Sequence, residues 1–190
     1  MTSPLDAFIP APDIDERHEA IVRAPANVVF DVAEHFDMMT IPLVRWIFNT
    51  RARVMRAEAP HFVGSKGLIA DMRGIGWGVL AHRPGHEWVM GAVAKPWQPG
   101  NVVFRAIEPD RYARFDEPGF VKIAWTIEAE PLEGGRSRLR TQTRVVATDA
   151  EARGLFRRYW RVFSVGIVLI RRLVVGEIRR QAERRYRGGA

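Results

Sequence analysis

The 190-residue chain contains no cysteine. Disulfides, thiolate metal ligands and thiol catalysis are thereby excluded. It has three lysines against 26 arginines. Long hydrophobic runs are missing too. The longest, Val162 to Ile170, is interrupted by Ser164 and closed by Arg171-Arg172, far short of the ~20 apolar residues that a membrane span requires. Met1 to Pro12 holds no basic stretch followed by an apolar one. No secretory leader is expected, and a cytoplasmic protein is. There is no internal repeat and no low-complexity segment. What remains is 47% apolar and 27% charged residues, the balance of a globular domain long enough to bury a core.

The formal net charge of +7 is not spread evenly. Lysine and arginine balance aspartate and glutamate over residues 1–148, so the whole excess lies in residues 149–190. That stretch opens Thr148-Asp149-Ala150-Glu151, a capping-box spacing with Thr148 as the expected N-cap. Phe156, Trp160, Phe163, Ile167, Ile170, Val174 and Ile178 then recur at steps of three and four, the period of one helical face. Arginines, among them Arg157, Arg158, Arg161, Arg171 and Arg172, fill much of the remainder and are expected to face water. An arginine-rich amphipathic helix of this kind can also lie on an anionic surface.

Residues 1–15, with Pro4, Pro10 and Pro12, read as an irregular lead-in; 16–187 read as one domain and 188–190 as a tail. A first strand is expected over Glu16 to Arg23, ended by Ala24-Pro25, where a helix starts with Val28, Val29, Val32, Ala33 and Phe36 as its apolar face. A second helical stretch covers Met38 to Met55 and is closed by Pro60. The period then becomes two. Strands are expected over 75–82, His86 to Val93 and Asn101 to Ile107. The clearest pair is Val121 to Glu130 and Arg138 to Val145, joined through Glu133-Gly134-Gly135 as a hairpin with one wet face. The fold class is therefore α+β. A curved antiparallel sheet, dry on one face, is covered by a long C-terminal helix, with two shorter helices near the N-terminus. An unbroken helix of that length would exceed ~50 Å, so a kink or break is expected near Ser164-Val165-Gly166.

A bent sheet around one rod leaves space between them. Large rings are expected on the dry side: Trp77, Trp88, Phe104 and Trp125 from strands, Phe156, Trp160 and Phe163 from the helix. They either fill the gap or line it. Together with Thr141 they are the candidate ligand-binding residues. No catalytic set stands out. His82 and His86 flank Pro84-Gly85, and His61 precedes them, but a zinc site needs three or four ligands, so no metal is expected. Gly74-Ile75-Gly76-Trp77-Gly78 and Gly64-Ser65-Lys66-Gly67 lack the frame of a phosphate loop and read as turn or bulge glycines. Asp116-Glu117 reads as a solvated pair. Arg105 and Arg144 sit among apolar neighbours and could hold an anionic head group.

The order of strand, Ala24-Pro25, a helix carrying Val28, Phe30 and Ala33, a meander, then a terminal helix resembles the helix-grip superfamily of START-like, Bet v 1-like and polyketide cyclase proteins, over roughly 16–186. Arg83 to Gly91 and Thr141 to Val145 look like a bacterial subgroup of it. The resemblance implies a cavity for a hydrophobic small molecule, lipid- or polyketide-like, with no cofactor. The expected role is a non-catalytic carrier or sensor. A cyclase or dehydratase is the alternative, which would need convergent polar groups such as Glu87, Gln142 or Arg144. Docking of the basic helix on a membrane or an acidic partner is a third reading. Nucleic acid is not an expected partner, and the oligomeric state is open.

Overall fold

A computed structural model describes residues 3–58 and 65–188; Pro60 and His61 lie outside the described residues. The strands are β1 (Ile14–Val22), β2 (Gly78–Arg83), β3 (Glu87–Ala94), β4 (Val121–Leu132) and β5 (Arg136–Ala147). The helices are α1 (Ala26–Glu34), α2 (Pro42–Met55), α3 (Leu68–Gly74), the single turn α4 (Pro109–Tyr112) and α5 (Ala150–Gly188). All strand pairs are antiparallel, in the order β1-β5-β4-β3-β2. This is a helix-grip α+β arrangement, as the order of elements implies.

The β4–β5 hairpin follows its alternation, with Ile123 opposite Val145, Trp125 opposite Thr143 and Ile127 opposite Thr141. Gly134 and Gly135 turn it with φ of 71° and 67°, a region that costs glycine nothing. The outer face of the sheet is drier than expected. Residues of the lead-in form a short 3-10 turn, Pro4–Ala7, and press Leu5 and Ile9 against the sheet beside Val89, Val93, Tyr112 and Ala124. Gln142 and Arg144 face this outer layer. Arg144 is held by Asp6, Asp15 and the Ile9 carbonyl, and Gln142 by Asp15 and Ser3.

Three sequence expectations change. The N-cap of α5 is Asp149, whose carboxylate accepts from the Ala152 amide at 2.7 Å. Thr148 instead ties down Phe120 by exchanging hydrogen bonds with its backbone. Asn101 to Ile107 is not a strand; it touches the sheet through one bridge, Arg105 to Val93. Residues 75–77 of the expected 75–82 strand are instead the turn that follows α3, and β2 starts only at Gly78.

The helix α5 runs 39 residues without a break, about 58 Å at ~1.5 Å per residue. Its two ends are anchored. Ala152 and Phe156 pack on Val121, Val145 and Ala147. Val174, Val175 and Ile178 pack on α1 and on Met90, Ile127 and Leu139. Between Phe156 and Val174 no residue is buried. Anchored at both ends, the helix crosses the gap as one continuous element, and the break expected near Gly166 does not occur. The glycine serves another purpose there: a Cβ on Gly166 would stand 3.1 Å from Ile47 Cγ2 of α2, so its absence lets α2 approach.

Candidate functional site

Beneath the unanchored middle of α5 lies a cavity of about 1010 Å³. This is the upper end of the ~300–1,000 Å³ usual for small-molecule sites. Its walls come from four directions. The sheet contributes Ile123, Trp125, Ile127, Thr141, Thr143 and Val145. The helix α5 contributes Phe156, Trp160, Phe163, Ile167 and Ile170, and α2 contributes Ile47 and Phe48. Leu68 and Met72 of α3, with Trp77 and Phe104, complete it.

Seven of the eight candidate residues therefore meet on one wall system: Trp77, Phe104, Trp125, Thr141, Phe156, Trp160 and Phe163. The rings line the space rather than fill it. Trp77 lies against Phe104 at 5.1 Å and edge-on to Trp125 at 6.3 Å between centroids. Phe156 lies against Trp160 at 5.9 Å. All three are within the range of favourable ring pairs, so each of these rings is fixed by a neighbour. Trp88 is not among the lining residues. Its ring stacks on His82 at 3.5 Å, and its indole N–H donates to Glu34 of α1 at 3.2 Å. The turn that brings His82 beside Trp88 thus makes a structural stack, and no cluster of metal-ligating side chains occurs among the described residues.

The mouth opens between α2 and α5. Arg51 spans it: its Nε donates to the Tyr159 hydroxyl at 3.2 Å, and its guanidinium lies over the Tyr159 and Phe163 rings at 5.8 and 6.0 Å. Around the opening, large apolar side chains stand in solvent. Trp46 is 63% exposed, Val54 62%, Val162 68% and Val165 76%, and all four line the cavity edge. These four side chains form an exposed apolar rim around the opening.

The arginines named from sequence as head-group holders are occupied elsewhere. Arg144 is the outer-face anchor described above, and Arg105 pairs with Glu117 at 2.7 Å while lying over Phe115 and Phe120. Glu87 is buried on the outer face, near Arg83 and Glu128. Glu87, Gln142 and Arg144 therefore do not line the cavity. Asp116 lines a separate surface pocket with Arg105, Arg111 and Arg114.

A different arginine faces the cavity. Arg171 of α5 lines it, and burial pushes its guanidinium down to about 10, with Glu16 acting in the opposite direction. No hydrogen bond or ion pair engages it among the described residues. Opposite it on the dry side of β1 stand Glu16 and His18, in register with Thr143 and Thr141. Burial, followed by the Arg171 charge, holds the His18 imidazole below its ordinary value. His18 Nε2 and Trp77 Nε1 are both buried without a partner. The sequence held a signal for Arg171, since it is four residues after Ile167 and three before Val174. Its adjacency to Arg172 concealed it.

No protein-family model and no curated protein matches the chain. Among solved structures, a conserved protein from Geobacillus kaustophilus is similar at 12% identity and a TM-score of 0.40, covering 87% of this chain and 95% of that one. The Zhui aromatase/cyclase from Streptomyces sp. R1128 is similar at 15% identity and a TM-score of 0.30, covering 88% and 94%. Ara h 8.0201 is similar at 14% identity and a TM-score of 0.26, covering 87% and 97%.

Proposed function

We propose that this protein binds a hydrophobic small molecule in the cavity between the sheet and α5, as a carrier or sensor. The observation that carries the reading is the unanchored middle of α5, which holds a ring-lined space open instead of closing on the sheet. Packing accounts for why such a space needs an occupant. A dry void costs about 24 cal/mol per Å³. Applied to 1010 Å³, that is roughly 24 kcal/mol, beyond the ~5–15 kcal/mol that stabilises a whole domain. The space therefore holds either solvent or ligand. Water against carbon walls makes few hydrogen bonds, and an apolar ligand releases it. A cyclase- or dehydratase-type enzyme is the alternative; Glu87, Gln142 and Arg144 face the outer layer, so it would have to use Arg171, His18 and Glu16 instead.

The test is saturable binding of a neutral apolar dye, Nile red, to purified protein stripped of lipid. One site with a blue-shifted emission is the expected result. No binding, or binding unchanged when Ile123→Trp narrows the cavity, overturns the reading.

The rim supports a second, compatible reading: the mouth rests on an anionic bilayer while ligand passes. Trp46, Val54, Val162 and Val165 supply the apolar contact, and the exposed Arg45, Arg53, Arg158 and Arg161 on the same two helices supply the charge. Co-sedimentation with phosphatidylglycerol-containing vesicles should weaken with salt and with Trp46→Ser plus Val165→Ser. Self-association of the protein through this face, with no vesicle binding, would assign the rim to a second copy instead.

A further inference from the structure

We propose that the ligand is an amphiphilic acid whose carboxylate or phosphate group pairs with Arg171 inside the cavity. This rests on the cavity reading and names the chemistry of the occupant. The other arginine that lines the cavity has a partner. Arg51 is engaged with Tyr159 at the mouth, and Lys122 donates to the Ala113 carbonyl at 2.8 Å on the outer face. Arg171 stands among Ile167, Ile170, Val174 and Val175 in the wall and has no anion on it. A half-buried guanidinium set among apolar wall residues without a counter-charge is unfavourable in a resting fold, and its planar fork suits a carboxylate or phosphate. Glu16 acts on it from a distance without forming an ion pair, so the fork is free to receive a ligand.

The geometry also orients the molecule. Phe156 and Arg171 are 15 positions apart on α5, ~22 Å along the axis at ~1.5 Å per residue. The intervening Trp160, Phe163 and Ile167 line the space. A head group at Arg171 therefore leaves its tail lying along this stripe, toward the rings and the mouth. Thr141 and Thr143 line the sheet opposite, in register with His18 and Glu16. Thr141, Thr143, Glu16 and His18 are thus the polar groups of the sheet on the side that Arg171 faces.

The experiment measures binding of dodecanol, dodecanoate and dodecyl phosphate at about pH 8, where both acids are ionised. Binding is read by displacement of Nile red and by thermal shift, on the native protein and on Arg171→Met, Arg171→Lys and Arg172→Met. The acids are expected to bind about tenfold to a hundredfold more tightly than the alcohol. Arg171→Met should remove that preference, whereas Arg172→Met, at the exposed neighbour, should keep it. Arg171→Lys should retain part of it. A stronger preference for the phosphate than for the carboxylate assigns the head group to a phospholipid-like acid, and the reverse to a fatty-acid-like one. Equal binding of alcohol and acids on the native protein overturns the proposal while the cavity reading stands, and so does a preference that survives Arg171→Met. If none of the three binds, both fail. Should Arg171→Met not fold, the native comparison and Arg171→Lys decide.

Discussion

Lengthening an alkyl ligand one carbon at a time is the most demanding test of the cavity. Each methylene moved from water into the ring-lined space contributes about 0.8 kcal/mol, an approximately fourfold gain in affinity. The gain should persist while the chain runs along Ile167, Phe163, Trp160 and Phe156, then stop when the 1010 Å³ are filled or the tail emerges past Val162 and Val165. Ligand at a hundred times its Kd adds about 2.7 kcal/mol of stability. For a chain of this size that is a rise in Tm of roughly 5–11 °C. Calorimetric titration gives the affinities, and differential scanning fluorimetry gives the Tm. Ile123→Trp should shorten the longest chain that still gains, because residue 123 projects into the space from the middle of the sheet. A flat dependence on chain length would refute the argument. So would a gain that ran on unchanged in Ile123→Trp, since the binding would then be at the surface.

Three other perturbations probe the walls and the layer behind them. Gly76→Ala should lower Tm by several degrees, equivalent to at least ~2 kcal/mol, and weaken dye binding. Gly76 has φ of 102°, and a Cβ there would stand 2.2 Å from the Phe104 carbonyl oxygen, so the segment that seats Phe104 against Trp77 must move. Arg51→Met should cost about 1 kcal/mol and raise the rate of protease cleavage in α2, because the Tyr159 and Phe163 contacts across the mouth are lost. Unchanged cleavage would show that α2 is held by other contacts. Glu87→Gln tests the outer layer through pH. Burial raises the Glu87 carboxyl above its ordinary value, against the pull of Arg83, and its Oε1 is buried without a partner. An acid whose pKa is raised by folding favours the fold below its unfolded value of about 4.5. That advantage is lost as pH climbs through the raised value. The denaturant midpoint of Glu87→Gln relative to native should therefore increase as pH rises from 4.5 through the raised value, and then level. A constant difference would contradict the burial argument.

The order of elements was legible because it depends on periodicity and punctuation. The two-residue alternation of Val121 to Glu130 and Arg138 to Val145 fixed the hairpin, and Gly134-Gly135 fixed its turn. The steps of three and four from Phe156 to Ile178 fixed α5, and the same stripe placed Phe156, Trp160 and Phe163 on the cavity side. The short α3 was not legible, since seven residues give too few repeats to tell a helix from a strand. Neither was the dry outer face. Its cover comes from Leu5 and Ile9, 71 to 119 positions from the strand residues they bury, Leu80 to Ala124, and no local pattern carries that contact.

The amino-acid order by itself determined which side chains each strand and helix presents, and hence that large rings would face one another. Only the tertiary structure decided whether those rings filled the gap. That outcome depends on how far the rod stands from the sheet, which is set by anchors at its two ends, Phe156 on Val145 and Ile178 on the α1 core. It also decided that Arg144 and Arg105 are paired and Arg171 is not, because a partner is a matter of distance through space. Asp6, Asp15 and Glu117 reach Arg144 and Arg105, and no carboxylate among the described residues comes near enough to pair with Arg171.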